Sequence, residues 1–286
     1  MSFLLKSKIV LILIRPANIF LTLIGTLTGS AIALIETGQP RYGSIISAAF
    51  ASVLIAAAGF MFNDYIDESS DRINRPHKPL PSGMLGKNHV LTLSLVFFVS
   101  GAFIAWIISV PCGVFGILVS LLLVVYSTSL SSKLFSGNLL TAVCASAPFL
   151  FGALAAGKIQ AGVLAFFLAA PLHLIREIVK DVEDLEGDRA ADRQTLPLKI
   201  GNTRTLKISG FLMILLALLI PVPYFASWIG LPYLIIAGIF VSIPLSFYGG
   251  AVAANPDSIH PKKIQRMLKI LMLPGITAII AGSIYR

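Results

Sequence analysis

The sequence predicts an all-α integral membrane protein, in which nine transmembrane helices form a bundle around a central cavity. Three observations support this fold class. The 286 residues are 56% hydrophobic and only 12% charged, whereas about a quarter of the residues of a soluble domain are charged. The mean hydropathy is +0.88. Apolar runs of about twenty residues recur, and each is long enough to cross a hydrocarbon layer of ~30 Å.

The distribution of charge predicts which way the helices run. The apolar runs cover residues 14–35, 43–63, 88–110, 112–130, 138–157, 160–176, 208–226, 229–251 and 267–285. All Lys and Arg residues except Arg41, Lys158 and Arg286 are placed on one side by this topology, and so are all acids except Glu36. By the positive-inside tendency the basic side is cytoplasmic. We therefore expect a multi-pass protein of the cell membrane whose polar motifs face the cytoplasm.

Other features limit the classes of partner and targeting signal. The net charge of +9 could suggest nucleic acid, but its concentration at one membrane face predicts contact with membrane lipid and no nucleic-acid partner. No obligate protein partner is evident. Lys6, Lys8 and Arg15 lead into a run long enough to remain as the first span, so no cleavable signal is expected. Cys112 and Cys144 are expected to be packing residues, with neither a disulfide nor a zinc site.

The first span opens with Arg15, Pro16 and Asn18. Arg15 could extend to phospholipid headgroups, with Asn18 as a polar residue at the helix end, or both could line a substrate cavity. Gly25 and Gly29 lie four residues apart, which is typical of close helix packing.

The second span runs into the first Asp-rich motif, NDYIDESSDRINRPHKPLPSG, residues 63–83. If the helix continues past Phe62, then Asn63, Asp67 and Asp71 share one face. Such crowding of carboxylates is unfavourable without a counter-ion, and oxygen ligands from Asp and Asn suit Mg²⁺. A solvated acidic loop is the alternative, but it does not explain why the acids follow an apolar run directly.

The same motif continues into a proline-rich loop that carries Arg72 and Lys78. Cations alone would suggest lipid headgroups. Acids and cations together suggest a metal-bound diphosphate held from both sides, so we predict that Arg72 and Lys78 bind substrate phosphates.

The fourth span ends with Tyr126 and, shortly after it, Lys133. Tyr126 could belong to the aromatic belt at the membrane interface, or it could present its ring or hydroxyl to a developing cation or to the diphosphate. Lys133 is predicted to bind substrate. In the next two spans, Asn138 is expected to cap a helix and His173 to make a local hydrogen bond.

The second Asp-rich motif, REIVKDVEDLEGDRAADR, covers residues 176–193. Its acids Asp181, Asp184 and Asp188 repeat the spacing of Asp64, Asp67 and Asp71 at a constant offset of 117 residues. Charges at i+4 spacing could form a simple salt-bridge ladder. The recurrence favours instead a second Mg²⁺ held by Asp181, Asp184 and Asp188, with Arg176 and Lys180 facing phosphate.

The interval between the motifs also predicts the domain organisation. Four spans lie between the two motifs, and an even number of spans returns the chain to the same side of the membrane. One domain, residues 1–286, is therefore expected to contain a parallel pseudo-repeat of four helices, roughly residues 14–130 and 138–251, plus a ninth helix, with the site between the halves. The last three spans are expected to be structural, with Lys262, Lys263 and Arg266 in a basic interfacial turn.

Two Mg²⁺ clusters at the mouth of an apolar bundle can bind a diphosphate while its hydrophobic tail lies among helices or lipid. Metal ions and basic residues would stabilise the departing diphosphate, and the allylic carbocation left behind can be captured by an acceptor. No nucleophilic Ser or Cys is required. A membrane transporter is the alternative of another class, but transport predicts ionisable residues or broken helices in the middle of spans.

The first motif resembles the signature of the UbiA-type intramembrane prenyltransferases, NxxxDxxxD followed by PLPSG, and the second motif with TLPLKIG resembles their second signature. The resemblance covers essentially the whole chain. It implies transfer of a polyprenyl group from its diphosphate to a lipophilic acceptor, with two Mg²⁺ ions bridging the diphosphate. It assigns one ion to Asn63, Asp67 and Asp71, assigns the other to Asp181, Asp184 and Asp188, and places Tyr126 near the reacting carbon.

Several residues depart from the family pattern. Lys78 stands where arginine is frequent, Lys133 lies two residues beyond the usual lysine, and Asp192 stands where glycine is usual. Asp64 and Glu183 remain alternative metal ligands if the helices end one residue early.

Within the family, REIVKDVEDLEGD with TLPLKIG looks most like the digeranylgeranylglyceryl phosphate synthase branch, which makes archaeal-type ether lipids. That branch passes geranylgeranyl from its diphosphate to the hydroxyl of geranylgeranylglyceryl phosphate. The alternative is an aromatic prenyltransferase of quinone synthesis, with a 4-hydroxybenzoate, homogentisate or naphthoate acceptor.

Overall fold

A computed structural model describes residues 9, 11–131, 133–256 and 259–285 of the chain. Within these residues the regular structure is helical and no strand occurs. Lys6, Lys8 and Arg286, which entered the predicted charge distribution, lie outside the described residues.

The part of the chain that the structure describes contains nine helices long and apolar enough to cross a membrane, which confirms the predicted fold class. In chain order, spans 1 to 9 are Pro16–Thr37, Tyr42–Ile66, Lys87–Ile108, Val110–Leu130, Ser136–Ala155, Ile159–Glu183, Asn202–Phe225, Leu231–Ala254 and Pro261–Ile284. Short helices outside the spans lie at Glu68–Asn74, Leu185–Ala190 and Leu196–Ile200, and residues 11–14 are also helical.

Several spans extend beyond their apolar runs. Span 6 continues to Glu183, seven residues past the predicted end, and span 9 begins at Pro261, six residues before the predicted start. Backbone hydrogen bonding continues through polar residues, whereas hydropathy detects only the part of a helix that suits hydrocarbon. The second motif therefore begins on the last turns of a spanning helix.

The chain divides into two compact units. The first contains residues 1–133, 147–162 and 186–193, and the second contains residues 134–146, 163–185 and 194–286. The first unit thus holds the whole first motif together with the end of the second motif. These boundaries differ from those of the four-helix pseudo-repeat, which stays a prediction.

Small residues allow close helix packing in the first unit. Ala48, Ala51, Ala105 and Cys112 are fully buried in one apolar cluster, so Cys112 is a packing residue, as predicted. At Gly29 an added side chain would meet the backbone of Phe149, which agrees with the predicted packing role of this glycine.

Gly152 makes the reciprocal contact. An added Cβ would overlap the carbonyl group of Thr26, and the Ser30 hydroxyl donates a hydrogen bond of 2.9 Å to the Gly152 carbonyl. We expect Gly152→Val to lower the free energy of unfolding by about 1–3 kcal/mol, because overpacking must push two backbones apart. Thermal unfolding in detergent would measure this, with Gly43→Ala as the control, since nothing lies within 4 Å of a Cβ there. Equal stability of both variants would contradict the packing role.

Close helix packing at glycine residues also occurs in the second unit. A Cβ on Gly210 of span 7 would lie 2.7 Å from the carbonyl oxygen of Gly249 in span 8, and one on Gly249 would lie 2.8 Å from the Gly210 carbonyl. The hydroxyl of buried Tyr233 donates to the Ile220 carbonyl at 2.7 Å. These contacts hold spans 7 and 8 together.

Candidate active site

The first motif begins on span 2 and breaks at its middle aspartate. Span 2 ends at Ile66, Asp67 follows, and a short helix continues from Glu68 to Asn74. The N–H of Asp67 still donates to the Asn63 carbonyl, and the N–H of Asp71 donates to the Asp67 carbonyl, both at 2.8 Å. The Asn63 side chain donates to Asp67 Oδ2 at 2.7 Å. Asn63 and Asp67 therefore lie together, although the helix that was predicted to carry them and Asp71 on one face is interrupted at Asp67.

Two acids of this motif are buried beside cations. Asp64 and Asp71 are only 3% and 4% exposed. Lys78 Nζ lies 2.8 Å from Asp64 Oδ1 and 2.6 Å from Asp71 Oδ2, and Arg15 Nη2 lies 2.5 Å from the same Asp64 oxygen. Arg15 therefore makes an ion pair within the protein and also stacks over the Phe60 ring at 5.0 Å. The predicted roles of Arg15 in lining a substrate cavity and of Lys78 in binding phosphate stay predictions.

These surroundings affect ionisation in opposite ways. Burial raises the pKa of Asp71 above its usual range, and Lys78 only partly offsets this effect. Burial disfavours the charged form of Arg15, but Asp64 more than compensates, so the pKa of Arg15 is raised. The charge of Asp71 is incompletely balanced by its neighbours, and a further cation beside it would favour its ionised form.

Two other cations that were predicted to bind substrate, Arg72 and Lys133, are more exposed. Arg72 is 67% exposed and bonds Glu68 at 2.8 Å, and Lys133 is exposed. Asn18 lies half-buried in the first turn of span 1. The structure thus leaves Arg72 and Lys133 accessible to a ligand.

The end of the second motif lies in the same compact unit as the first motif. The guanidinium of Arg193 pairs with Asp67 through Nη2, and its Nη1 lies 3.5 Å from Asp188 Oδ1. The Asn74 side-chain carbonyl accepts a 2.9 Å hydrogen bond from the N–H of Gly187. A Cβ on Gly187 would lie 2.7 Å from that same oxygen, so only glycine allows this approach. Acids of both motifs therefore meet around one arginine.

Sequence reasoning missed Arg193, Asn74 and Gly187. The contacts join residues 126 and 113 positions apart, and no local periodicity reports such a distance. The sequence did indicate an unusual turn next to Arg193, because Asp192 stands where the family usually has glycine. Its φ of 52° is in the left-handed region that glycine adopts readily, and this turn brings the Arg193 side chain back towards Asp188.

Tyr126 begins a π-helical turn, Tyr126–Leu130, at the end of span 4. Such turns often occur at functional sites. Tyr126 is half-buried and lies close enough to Arg193 to interact with it electrostatically. This position is compatible with both interpretations of Tyr126, so its role stays a prediction.

The second motif repeats the interruption of the first. Span 6 ends at Glu183, Asp184 follows, and a short helix runs from Leu185 to Ala190. The N–H of Asp184 donates to the Lys180 carbonyl at 3.0 Å. The two helix breaks, at Asp67 and Asp184, are 117 residues apart, which is also the offset between the two motifs. The repeated spacing therefore corresponds to a repeated local structure.

The cations of span 6 pair with an acid that sequence reasoning overlooked. Glu177 is 5% exposed, and it contacts Arg176 at 2.8 Å and Lys180 at 3.1 Å. The predicted phosphate-binding roles of Arg176 and Lys180 stay predictions. The imidazole Nδ1 of buried His173 has no hydrogen-bond partner among the described residues, so the predicted local hydrogen bond is not seen at that atom.

One expectation about the second unit was wrong. Asn138 does not cap span 5, which begins two residues earlier, at Ser136; its side chain instead donates to Asp181 Oδ2 at 2.8 Å. Span 9 contacts the end of span 6. Gln265 donates to Glu183 at 2.7 Å, and Lys262 lies 3.5 Å from the same carboxylate.

The residues fit Mg²⁺ by their chemistry. Within the described residues no three His, Cys, Asp or Glu side chains form a ready-made metal cage. Mg²⁺ does not need one, since it typically uses one or two carboxylates together with substrate phosphates and water. The donors are oxygens of Asp and Asn, and Asp67 and Asp188 already converge on a single positive charge.

Comparison with known proteins agrees with this arrangement. The sequence profile described as the UbiA prenyltransferase family matches residues 22–270. The chain belongs to the UbiA prenyltransferase family. It is accordingly a prenyltransferase and a multi-pass membrane protein, as predicted, and the transporter alternative falls away.

Similarity to individual family members extends over nearly the whole chain. The digeranylgeranylglyceryl phosphate synthase of Methanopyrus kandleri is 34% identical over 270 residues, which cover 94% of this chain and 97% of the relative. The synthase of the same name from Methanosarcina barkeri is 35% identical over 272 residues, 92% of each chain. The resemblance stated from the motifs alone is therefore confirmed.

Solved structures share the fold. A structure from a study of digeranylgeranylglyceryl phosphate synthase in membranes has a TM-score of 0.77 and 29% identity, and the match covers 98% of this chain and 99% of that one. A UbiA homologue from Archaeoglobus fulgidus bound to GPP and Mg²⁺ has a TM-score of 0.68 and 20% identity, with 96% and 99% covered. The predicted nine-helix architecture is that of the family.

Proposed function

We propose that this prenyltransferase transfers a geranylgeranyl group from its diphosphate to the hydroxyl of geranylgeranylglyceryl phosphate, in a reaction that requires two Mg²⁺ ions. The proposed binding of the prenyl diphosphate is supported by one observation: Asp67 and Asp188, one from each motif, both contact the same cation, Arg193. The acceptor half is supported by the similarity to the synthases of Methanopyrus and Methanosarcina along nearly their full length.

The proposed ligands of one ion are Asn63, Asp67 and Asp71, and those of the other are Asp181, Asp184 and Asp188. When bound there, Mg²⁺ would supply the positive charge that neutralises the diphosphate and stabilises its departure. The cations proposed to bind substrate phosphates are Arg72, Lys78, Lys133, Arg176 and Lys180. The role of these side chains is to orient the diphosphate so that its bond to the allylic carbon is directed into the apolar part of the bundle.

The acceptor requires a different environment from the diphosphate. The bond between the allylic carbon and the diphosphate oxygen breaks first, and its electron pair leaves with the diphosphate. The acceptor hydroxyl oxygen then bonds to the allylic carbocation, and the hydroxyl proton passes to the released diphosphate. Arg15 and Asn18 at the start of span 1 are proposed to line the substrate cavity, and the ring of Tyr126 would stabilise positive charge on the allylic carbon. The distribution of basic residues supports a cytoplasmic orientation of both motifs.

A product assay tests this proposal. Purified protein in detergent would be incubated with Mg²⁺ and labelled geranylgeranyl diphosphate, with geranylgeranylglyceryl phosphate in one reaction and 4-hydroxybenzoate in another. We expect an acid-stable ether lipid only in the first reaction and no product when EDTA is added. A prenylated aromatic product only in the second reaction would overturn the acceptor assignment and place the enzyme in quinone synthesis.

A further inference from the structure

Arg193 occupies the place between two carboxylates that the proposed function assigns to metal binding. We propose that Arg193 is an internal counter-ion, which holds Asp67 and Asp188 together in the metal-free enzyme and moves to the diphosphate when Mg²⁺ arrives. This inference rests on the proposed function for the identity of the ligands. It adds a positioning residue that the spacing of the motifs does not identify.

Both oxygens of Asp67 already have hydrogen-bond or ion-pair partners. Oδ1 pairs with Arg193, and Oδ2 accepts a hydrogen bond from Asn63. Each oxygen keeps a second lone pair for a metal ion, but a divalent ion bound there would lie close to the guanidinium of Arg193 and repel it. Asn63 can remain, because its side-chain oxygen is itself a proposed ligand. Arg193 offers only N–H donors and cannot bind the ion, so repulsion favours its departure.

The three side chains that meet here are largely buried. Asp188 is 3% exposed, and the side chains of Arg193 and Asp67 are each 16% exposed. A buried carboxylate without a cation is strongly unfavourable, so Asp67 and Asp188 need a positive charge beside them. Arginine is always protonated in proteins, and Arg193 supplies that charge to both acids.

The guanidinium of Arg193 is well suited to bind a diphosphate. Its planar fork matches two phosphate oxygens at once, and Tyr126 lies near it in the same unit. Lys78 also bridges two acids, but Asp64, one of that pair, is outside the proposed ligand sets. Arg193 alone, among the described ion pairs, joins proposed ligands of both metal ions.

Calorimetric titration with Mg²⁺, in the absence of any substrate, tests the inference on the intact protein in detergent. Loss of a competing charge should strengthen binding, so we expect Arg193→Gln to raise the affinity for Mg²⁺ about three- to tenfold. The same variant should unfold at a lower temperature in EDTA. With saturating Mg²⁺ it should bind an unreactive geranylgeranyl diphosphate analogue more weakly than the wild type does.

Arg189→Gln is the matched control, because Arg189 is exposed and precedes Arg193 by four residues. It removes the same charge and should change the Mg²⁺ affinity less than twofold. If Arg193→Gln lowers stability but leaves the Mg²⁺ affinity unchanged or weaker, the residue is structural and the inference is wrong. If Arg193→Gln does not fold, Arg193→Lys takes its place. Lysine keeps the charge but lacks the planar fork that matches two phosphate oxygens, so its Mg²⁺ affinity should stay within about twofold of the wild type while it binds the diphosphate analogue more weakly. Unchanged binding of the analogue by Arg193→Lys would overturn the inference.

Failure of the proposed function would look different. In that case the wild type itself would bind no geranylgeranyl diphosphate analogue with Mg²⁺, or would form no ether lipid. The change in Mg²⁺ affinity between Arg193→Gln and the wild type is measured without either substrate, so it is read independently of both results.

Discussion

Asparagine in place of Asp67 is expected to reduce prenyl transfer by about a thousandfold at saturating substrate. The substitution keeps the shape of the side chain and its capacity to bond Asn63, but it removes a charge that the proposed metal site needs. Loss of one group that stabilises developing charge typically costs about 10²–10³ in turnover, and a metal ligand acts on both binding and departure of the diphosphate. Initial rates with labelled geranylgeranyl diphosphate, measured across a Mg²⁺ titration, would check this expectation.

Glu68→Gln is the control for Asp67→Asn. Glu68 is the next residue in the chain, and it pairs with Arg72 and Lys87 at the protein surface. It belongs to neither proposed ligand set, so its turnover should stay within about twofold of the wild type. If the turnover of Asp67→Asn stays within tenfold of the wild type at every Mg²⁺ concentration, Asp67 is not a metal ligand.

Methionine in place of Lys78 is expected to destabilise the protein by about 3 kcal/mol, because it leaves two buried acids short of their shared cation. Lys78 is 13% exposed and contacts both Asp64 and Asp71. Methionine retains most of the aliphatic volume, so the loss reports charge rather than packing. Denaturant unfolding in detergent would measure it, with Lys87→Met as the control. Lys87 is 49% exposed and pairs with Glu68 at the protein surface, so its loss should cost about 0–1 kcal/mol.

The pH dependence of Lys78→Met gives an independent check. Burial already holds the pKa of Asp71 above its usual range, and loss of Lys78 should raise it further. An acid whose folded pKa is above its unfolded pKa destabilises the folded state at high pH, and this effect disappears as pH falls through the folded pKa. The stability deficit of Lys78→Met should therefore shrink on acidification, and in Lys78→Met/Asp71→Asn it should be smaller at neutral pH. A deficit independent of pH would mean that packing, not charge, is lost.

The amino-acid sequence alone determined the fold class, the nine spans and the family. Hydrocarbon of fixed thickness requires about twenty apolar residues in each span, so a simple window detects every span within the described chain. The motifs could also be found, because their aspartates are separated by one helical turn, which spacing reports directly. Boundaries were less accurate where a helix continues into polar sequence, as span 6 does up to Glu183.

Only the tertiary structure decided which charges meet. Arg193 with Asp67, Asn74 with Gly187, and Gln265 with Glu183 join residues 126, 113 and 82 positions apart. Partners at such distances depend on how helices pack and where each one ends, and a repeat of three or four residues contains no information about either. For this reason the sequence indicated two acidic motifs, whereas the fold showed that Asp188 of the second lies with the first, and that an arginine neutralises the acids where they converge.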